Sequence, residues 1–187
     1  MKEEPIHNKA IFLDRDGTIN PDPGYISNPD DFNIYEGVAE SLARLKKAGY
    51  LLVLITNQSG ISRGLISLAQ LDKIHAKLQS QLSEAGVRLD AIYYCPHHPD
   101  FPYSDGKTTC DCRKPEPGMV LKAIQELNIA PGKSFMIGDR SSDIKIGIKT
   151  GVRPIHIGPA PLPGYEQVIS FANLPQATDW ILSRPEN

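Results

Sequence analysis

Two carboxylates spaced two residues apart, Asp14 and Asp16, directly follow the apolar run from Ala10 to Leu13. A short apolar run that ends in a glycine turn is typical of a strand buried on both faces of a parallel sheet. Side chains alternate along a strand, so Asp14 and Asp16 would point the same way if the strand extended that far. At the carboxyl end of a strand, where open α/β sheets bind ligands, two such like charges favour a bound divalent cation. A polar turn is the alternative explanation for the four residues Asp-x-Asp-Gly alone.

Polar residues also stand at the ends of later apolar segments. Thr56 ends the second apolar segment, Lys114 precedes a helical pattern, and Asp139 and Asp143 follow the fourth apolar segment. A hydroxyl, backbone amides and an ammonium group suit a phosphoryl group, and carboxylate oxygens are the ligands that Mg²⁺ prefers. Each residue alone fits an ordinary role, as a helix cap, a solvated charge or a turn residue. If Asp14 were a nucleophile that attacks phosphorus, it would need a cation, donors to the phosphoryl oxygens and a second acid, and these residues could supply them.

A second metal site is predicted by three thiols and one imidazole that are close in sequence, Cys95, His97, Cys110 and Cys112. This is the ligand set of a closed structural zinc site, and the odd number of cysteines argues against a disulfide framework. Free thiols beside a surface histidine are the alternative, but a long loop without secondary structure needs an anchor. The ligand chemistry alone leaves His98 open as a rival to His97. Zinc would be structural here, and it would fix the loop of about residues 95–112.

The string from Leu13 to Asn20, Leu-Asp-Arg-Asp-Gly-Thr-Ile-Asn, resembles the nucleophile motif of the haloacid dehalogenase superfamily of phosphohydrolases. The resemblance implies that Asp14 is the nucleophile and a Mg²⁺ ligand. It implies that Asp16 is the general acid and base and binds Mg²⁺ through its carbonyl. It also implies that Thr56 and Lys114 contact the phosphoryl group and that Asp139 is a Mg²⁺ ligand. It implies that Asp143 supports Lys114 or a metal-bound water.

Three further strings, at residues 56–60, 95–99 and 110–115, resemble the D-glycero-D-manno-heptose 1,7-bisphosphate 7-phosphatases. These are capless enzymes of nucleotide-activated heptose biosynthesis, so the resemblance implies a sugar bisphosphate substrate with Mg²⁺ and Zn²⁺. It implies that the zinc ligands are Cys95, His97, Cys110 and Cys112. It places substrate contacts at Asp22, Gly24, Tyr25, Asn57, Gln58, Ser59, Arg113 and Arg140.

Two other functions stay open at this point. The histidinol-phosphate phosphatases resemble the chain in the same zinc signature, although their zinc loop tends to be shorter than residues 95–110. A catalytically inactive, zinc-stabilised binding module is the other possibility. The intact set of mutually repelling carboxylates argues against it, because a pure scaffold has no need of them.

Hydrophobic periodicity gives the elements that must position these residues. Strands are predicted at 10–13, 50–55, 87–94, 133–137 and 152–157, and helices at 37–49, 67–86, 119–127, 143–150 and 174–182. The alternation predicts an α/β fold, a Rossmann-like three-layer sandwich with a central, mainly parallel sheet. We expect one domain over residues 1–187, with a loose tail at 1–8, no separate cap domain and a zinc-bound loop insertion.

Composition limits the classes of partner. The chain has 187 residues, 40% of them hydrophobic and 22% charged, and its formal net charge is -2. Such a chain has no basic field for nucleic acid or membrane surfaces, no apolar segment of membrane-spanning length and no signal-peptide core near Met1. We therefore expect a cytoplasmic, monomeric protein whose partner is a small molecule.

Overall fold

The computed structural model describes residues 7–184, and its centre is a six-stranded sheet. Residues 1–6 of the predicted tail and residues 185–187 lie outside the described part. The strands are β1 (Lys9–Leu13), β2 (Tyr50–Asn57), β3 (Ala91–Cys95), β4 (Phe135–Gly138), β5 (Arg153–Ile157) and β6 (Ser170–Phe171). Their order is β3-β2-β1-β4-β5-β6, and all five pairings are parallel, so the carboxyl ends of the strands meet at one edge.

Five α-helices cover the sheet within residues 7–184: α1 (Val38–Lys47), α2 (Leu68–Ser83), α3 (Gly118–Glu126), α4 (Ser141–Thr150) and α5 (Leu174–Leu182). Each face of the sheet has its own hydrophobic layer. Ile11 and Leu13 of β1 pack in the layer that contains α1, α2 and α5, whereas Ala10 and Phe12 pack in the layer that contains α3 and α4. The predicted three-layer α/β sandwich is confirmed, and no separate cap covers the described residues.

Among the strands, β3 and β6 differ most from the sequence prediction. β3 begins at Ala91 rather than at residue 87, because the preceding segment is bound to a helix. The backbone N–H of Leu89 donates to the Gln79 side chain of α2 at 3.0 Å, and the Leu89 carbonyl accepts from the same side chain at 3.2 Å. β6 was not predicted, since two residues are too few to show a periodic pattern.

No helix within residues 7–184 combines the length and the apolar character that a membrane span requires.

Candidate active site and metal centres

A cleft of about 360 Å³ opens at the carboxyl edge of the sheet. The chain adds β2 and β3 on one side of β1 and β4 to β6 on the other, and ligands bind at such a change of direction. Every residue predicted to be catalytic or to contact substrate lines this cleft: Asp14, Asp16, Asp22, Gly24, Tyr25, Thr56, Asn57, Gln58, Ser59, Arg113, Lys114 and Arg140. Four lining residues were not predicted, namely Arg15, Ile26, Gly60 and Ser142.

Lys114 is buried between two carboxylates at the base of the cleft. Its Nζ lies 2.8 Å from Asp14 Oδ1 and 2.6 Å from Asp143 Oδ1. Burial raises the pKa of Asp14 to about 6, although Lys114 acts in the opposite direction. Burial disfavours the charged Lys114, but Asp14 and Asp143 outweigh this effect and raise its pKa. Lys114 is therefore charged at neutral pH, and its single charge is shared by two carboxylates.

The carboxylates of Asp14 and Asp16 face different surroundings. β1 ends at Leu13 and the chain bends at Arg15, so the strand does not extend to Asp16. Asp14 and Asp16 were expected to point the same way only if β1 reached Asp16, and it does not. Only a turn brings Asp16 to the cleft.

Asp16 is held by four donor groups. Its Oδ1 accepts from Arg15 Nε and from Asn20 Nδ2, both at 3.0 Å. Its Oδ2 accepts from Arg15 Nη2 and from Gln58 Nε2, both at 2.9 Å. Gln58 Nε2 also donates to Thr56 Oγ1 at 2.9 Å. Sequence reasoning missed the structural role of Arg15, whose position between the two aspartates was the available signal.

Three carboxylates could hold a divalent cation. Asp14, Asp139 and Asp143 each offer an oxygen, and these oxygens all lie within 4.8 Å of one another. Asp143 is engaged elsewhere, since it contacts Lys114 and accepts from the backbone N–H of Arg140 at 3.0 Å. Asp139 Oδ1 is buried without a hydrogen-bond partner in the described part of the chain, and burial raises the pKa of Asp139 to about 6. An unpartnered oxygen beside a second carboxylate fits a hard cation such as Mg²⁺.

Asn57 holds Lys114 through the backbone. Its Oδ1 accepts from the Lys114 N–H at 3.0 Å, and its Nδ2 donates to the Lys114 carbonyl at 3.1 Å. The sequence predicted a substrate contact for Asn57, and the structure adds this second task. Because both polar ends of its side chain are occupied, Asn57 fixes the position from which the Lys114 side chain enters the cleft.

Charged side chains surround the mouth of the cleft. Arg140 Nη2 donates to Asp22 Oδ2, and Asp22 Oδ1 accepts from the Gly24 N–H at 2.9 Å. On the zinc-loop side, Arg113 Nη1 donates to the carbonyl of His97 at 3.0 Å. The arginines therefore bring positive charge to a cleft whose base is negatively charged.

The four predicted zinc ligands form one cluster. Cys95 Sγ lies 2.9 Å from Cys112 Sγ and 3.5 Å from Cys110 Sγ, and His97 Nδ1 lies 3.3 Å from Cys112 Sγ. All three cysteines are free thiols, and burial raises the pKa of Cys95, so a Cys95 thiolate would need a cation. Three sulfurs and one imidazole nitrogen fit a tetrahedral zinc ion.

His98, the rival ligand, points to a different partner. Its Nε2 lies 2.7 Å from Arg63 Nη2, and its Nδ1 accepts from the Asp100 N–H at 3.1 Å. Its ring also packs edge-on against Phe101, with ring centroids 5.2 Å apart. The structure therefore places His97, and not His98, in the thiol cluster.

Comparison with known proteins gives consistent relatives. A family model described as HAD-hydrolase-like matches residues 111–158. The D-glycero-beta-D-manno-heptose-1,7-bisphosphate 7-phosphatase of Photorhabdus laumondii is 52% identical over 150 residues, which are 77% of this chain and 80% of that protein. The protein of the same name from Escherichia coli K12 is 42% identical over 176 residues, which are 90% of this chain and 92% of that protein.

A solved structure shares the fold. The D,D-heptose 1,7-bisphosphate phosphatase from B. bronchiseptica, crystallised in complex with magnesium and phosphate, superposes with a TM-score of 0.80 and 32% identity. The match covers 93% of this chain and 98% of that chain. Sequence and structure therefore point to the same group of proteins.

Proposed function

We propose, since the chain belongs to the D-glycero-beta-D-manno-heptose-1,7-bisphosphate 7-phosphatase family of haloacid dehalogenase-like hydrolases, that it removes the 7-phosphate of this sugar bisphosphate in nucleotide-activated heptose biosynthesis. One observation carries the proposal. Asp14 with its Lys114 partner and all the predicted substrate contacts line a single cleft. The relatives favour this substrate, as the beta anomer, over histidinol phosphate.

Asp14 is the nucleophile of the proposed reaction. Its carboxylate attacks the 7-phosphorus, the bond from phosphorus to the C7 oxygen breaks, and an aspartyl phosphate forms. Lys114 and the Thr56 hydroxyl hold the phosphoryl oxygens while charge redistributes. Asp14, Asp139 and the Asp16 carbonyl would hold Mg²⁺, which when bound would offset the combined negative charge of the carboxylates and the phosphate.

Asp16 transfers the protons. It protonates the departing C7 oxygen and then takes a proton from the water that attacks the aspartyl phosphate, which releases inorganic phosphate and restores Asp14. Its side-chain contacts in the described conformation are all with donors, from Arg15, Asn20 and Gln58. A protonated Asp16 must donate instead, so we expect it to turn from Arg15 into the cleft during the cycle.

The second phosphate of the substrate supplies selectivity. An open cleft without a separate cap excludes little by shape, so charge must select the substrate. Arg113 lines the cleft, and its guanidinium group can hold a second anion while Asp14 attacks the first phosphate. Binding energy from this remote end orients the reacting phosphate, so its loss lowers turnover efficiency as well as affinity.

A comparison of substrates tests the proposal. Phosphate release with Mg²⁺ should give a far higher kcat/KM for the heptose 1,7-bisphosphate than for a heptose 7-phosphate or histidinol phosphate. A higher kcat/KM for histidinol phosphate would overturn the heptose assignment.

Substitution of Arg113 tests the source of that selectivity. Arg113→Ala should cost the bisphosphate about 2 kcal/mol more transition-state stabilisation than it costs the monophosphate, as the loss of charged hydrogen bonds to a second phosphate does. Arg153→Ala, at an exposed position on β5, is the matched control and should leave kcat/KM unchanged for both substrates. An equal loss on both substrates would assign Arg113 to a general role in the cleft.

The cytoplasmic location and the monomeric state also stay proposals.

A further inference from the structure

His156 is a buried polar residue that does not line the cleft. It lies on β5 opposite Gly138, the last residue of β4, and its side chain is 3% exposed. Its Nε2 is 3.2 Å from the carbonyl oxygen of Asp139, and its Nδ1 is 3.2 Å from Ser170 Oγ on β6. A side chain of β5 therefore contacts the backbone just beyond the end of β4.

The partners of the ring determine where its proton lies. The Asp139 carbonyl can only accept, so Nε2 carries the hydrogen and donates it. Nδ1 is then an acceptor, and the Ser170 hydroxyl lies between it at 3.2 Å and the Val168 carbonyl, a second acceptor, at 3.4 Å. Gly158 gives the ring its space, since a Cβ at that position would lie 2.6 Å from His156 Cε1. The ring is thus held in one orientation by a hydroxyl on one side and a glycine on another.

The peptide unit between Asp139 and Arg140 is consequently held at both of its polar atoms. His156 binds the carbonyl oxygen, and Asp143 Oδ2 accepts from the N–H at 3.0 Å. Fixing this peptide plane fixes the backbone from which the Asp139 side chain projects. That side chain carries the buried, unpartnered Oδ1 at the candidate cation site.

We propose that His156 is a positioning residue for the divalent-cation site, which aims the Asp139 carboxylate by holding the Asp139 carbonyl. The inference rests on the proposed function, because it takes Asp139 as a Mg²⁺ ligand. Groups that orient metal ligands in this way typically change metal affinity by about 10- to 100-fold when they are removed. His156 therefore controls how tightly Mg²⁺ binds, and it takes no part in the chemical step.

Direct Mg²⁺ titration by calorimetry, without substrate, tests the role. His156→Leu should weaken Mg²⁺ binding about 10-fold or more, and should leave kcat at saturating Mg²⁺ within about threefold of wild type. His156→Gln, whose amide N–H can replace the Nε2 donor, should restore most of the affinity. Gly158→Ala should weaken binding in the same direction without removing the ring, because its Cβ displaces the imidazole.

Leu78→Ala on α2 is the control for general destabilisation, since Leu78 is a buried core residue. It should lower the Tm and leave Mg²⁺ affinity unchanged. Wild-type affinity in folded His156→Leu, or equally weak binding by His156→Gln, would overturn the inference. Hydrolysis of the bisphosphate by the wild-type enzyme is measured in parallel. Its absence would count against the proposed function alone.

Discussion

At the scale of single residues, the two aspartates of the motif have opposite electrostatic surroundings. Asp14 and Asp143 both contact Lys114, and burial raises the pKa of Asp14 to about 6. Asp16 accepts four hydrogen bonds, two of them from the buried Arg15. The charge on Asp14 therefore costs stability in the absence of metal, whereas the Asp16 carboxylate pairs with the buried guanidinium group of Arg15.

Asp14→Asn should abolish turnover, because an amide cannot form the acyl phosphate. It should also raise the Tm of the metal-free protein at pH 8, on the order of 2–6 °C. Since the folded-state pKa of Asp14 is raised, its carboxyl adds stability at low pH and loses it as the pH rises through about 6. The gain from Asp14→Asn should therefore shrink as the pH falls below about 6 and disappear near pH 4, as thermal unfolding at several pH values would reveal.

Asp16→Asn is the matched contrast. It should also be severely impaired in turnover, but it should lower the Tm, because Arg15 loses its paired carboxylate and keeps a buried charge. Equal Tm changes in the two variants would contradict this account of the charges. Near-wild-type turnover by folded Asp14→Asn would reject the nucleophile itself.

At the scale of elements, the segment between β3 and α3 links the thiol cluster to the cleft. Residues 96–117 contain neither helix nor strand. Two hydrogen bonds carry the link: Arg113 donates to the His97 carbonyl at 3.0 Å, and Gly118 at the start of α3 donates to the Asp111 carbonyl at 2.8 Å. Fixing the loop at its cysteines therefore fixes the segment that presents Arg113 and Lys114.

Metal analysis of protein purified without added metal should find about one zinc per chain, since structural zinc binds tightly. His97→Ala and Cys112→Ala should release it and lower activity, although neither variant removes a group that touches substrate. His98→Ala is the matched control and should retain zinc, because its ring faces Arg63. Zinc-free wild-type protein with full activity would reject the site.

Much of the site follows from sequence because parallel strands bring their carboxyl ends to one edge. Asp14, Thr56 and Asp139 lie at or directly after the ends of β1, β2 and β4, so their placement needs only the strands and their direction. The surroundings of Asp16 and Gln58 depend on how a turn and a loop fold back, which no periodic pattern records. The choice of His97 over His98 is likewise a matter of loop geometry, and the resemblance to relatives supplied it.

At the scale of the whole molecule, the strand order explains why the cleft lies where it does. β1 is central, with β2 on one side and β4 on the other, so the proposed nucleophile Asp14 and the candidate metal ligand Asp139 follow adjacent strands. The sandwich without a separate cap was predictable from the alternation of elements, and the two-residue β6 was not. That residues 1–187 fold as one domain stays a prediction, for which a single cooperative unfolding transition is the expected result.

The most direct test of the central claim is ³¹P NMR of D-glycero-beta-D-manno-heptose 1,7-bisphosphate during incubation with the protein and Mg²⁺. The 7-phosphate signal should disappear as inorganic phosphate grows, while the 1-phosphate signal persists. Asp14→Asn should leave both sugar-phosphate signals unchanged. Loss of the 1-phosphate first, or no release from either position by folded, metal-loaded protein, would contradict the account.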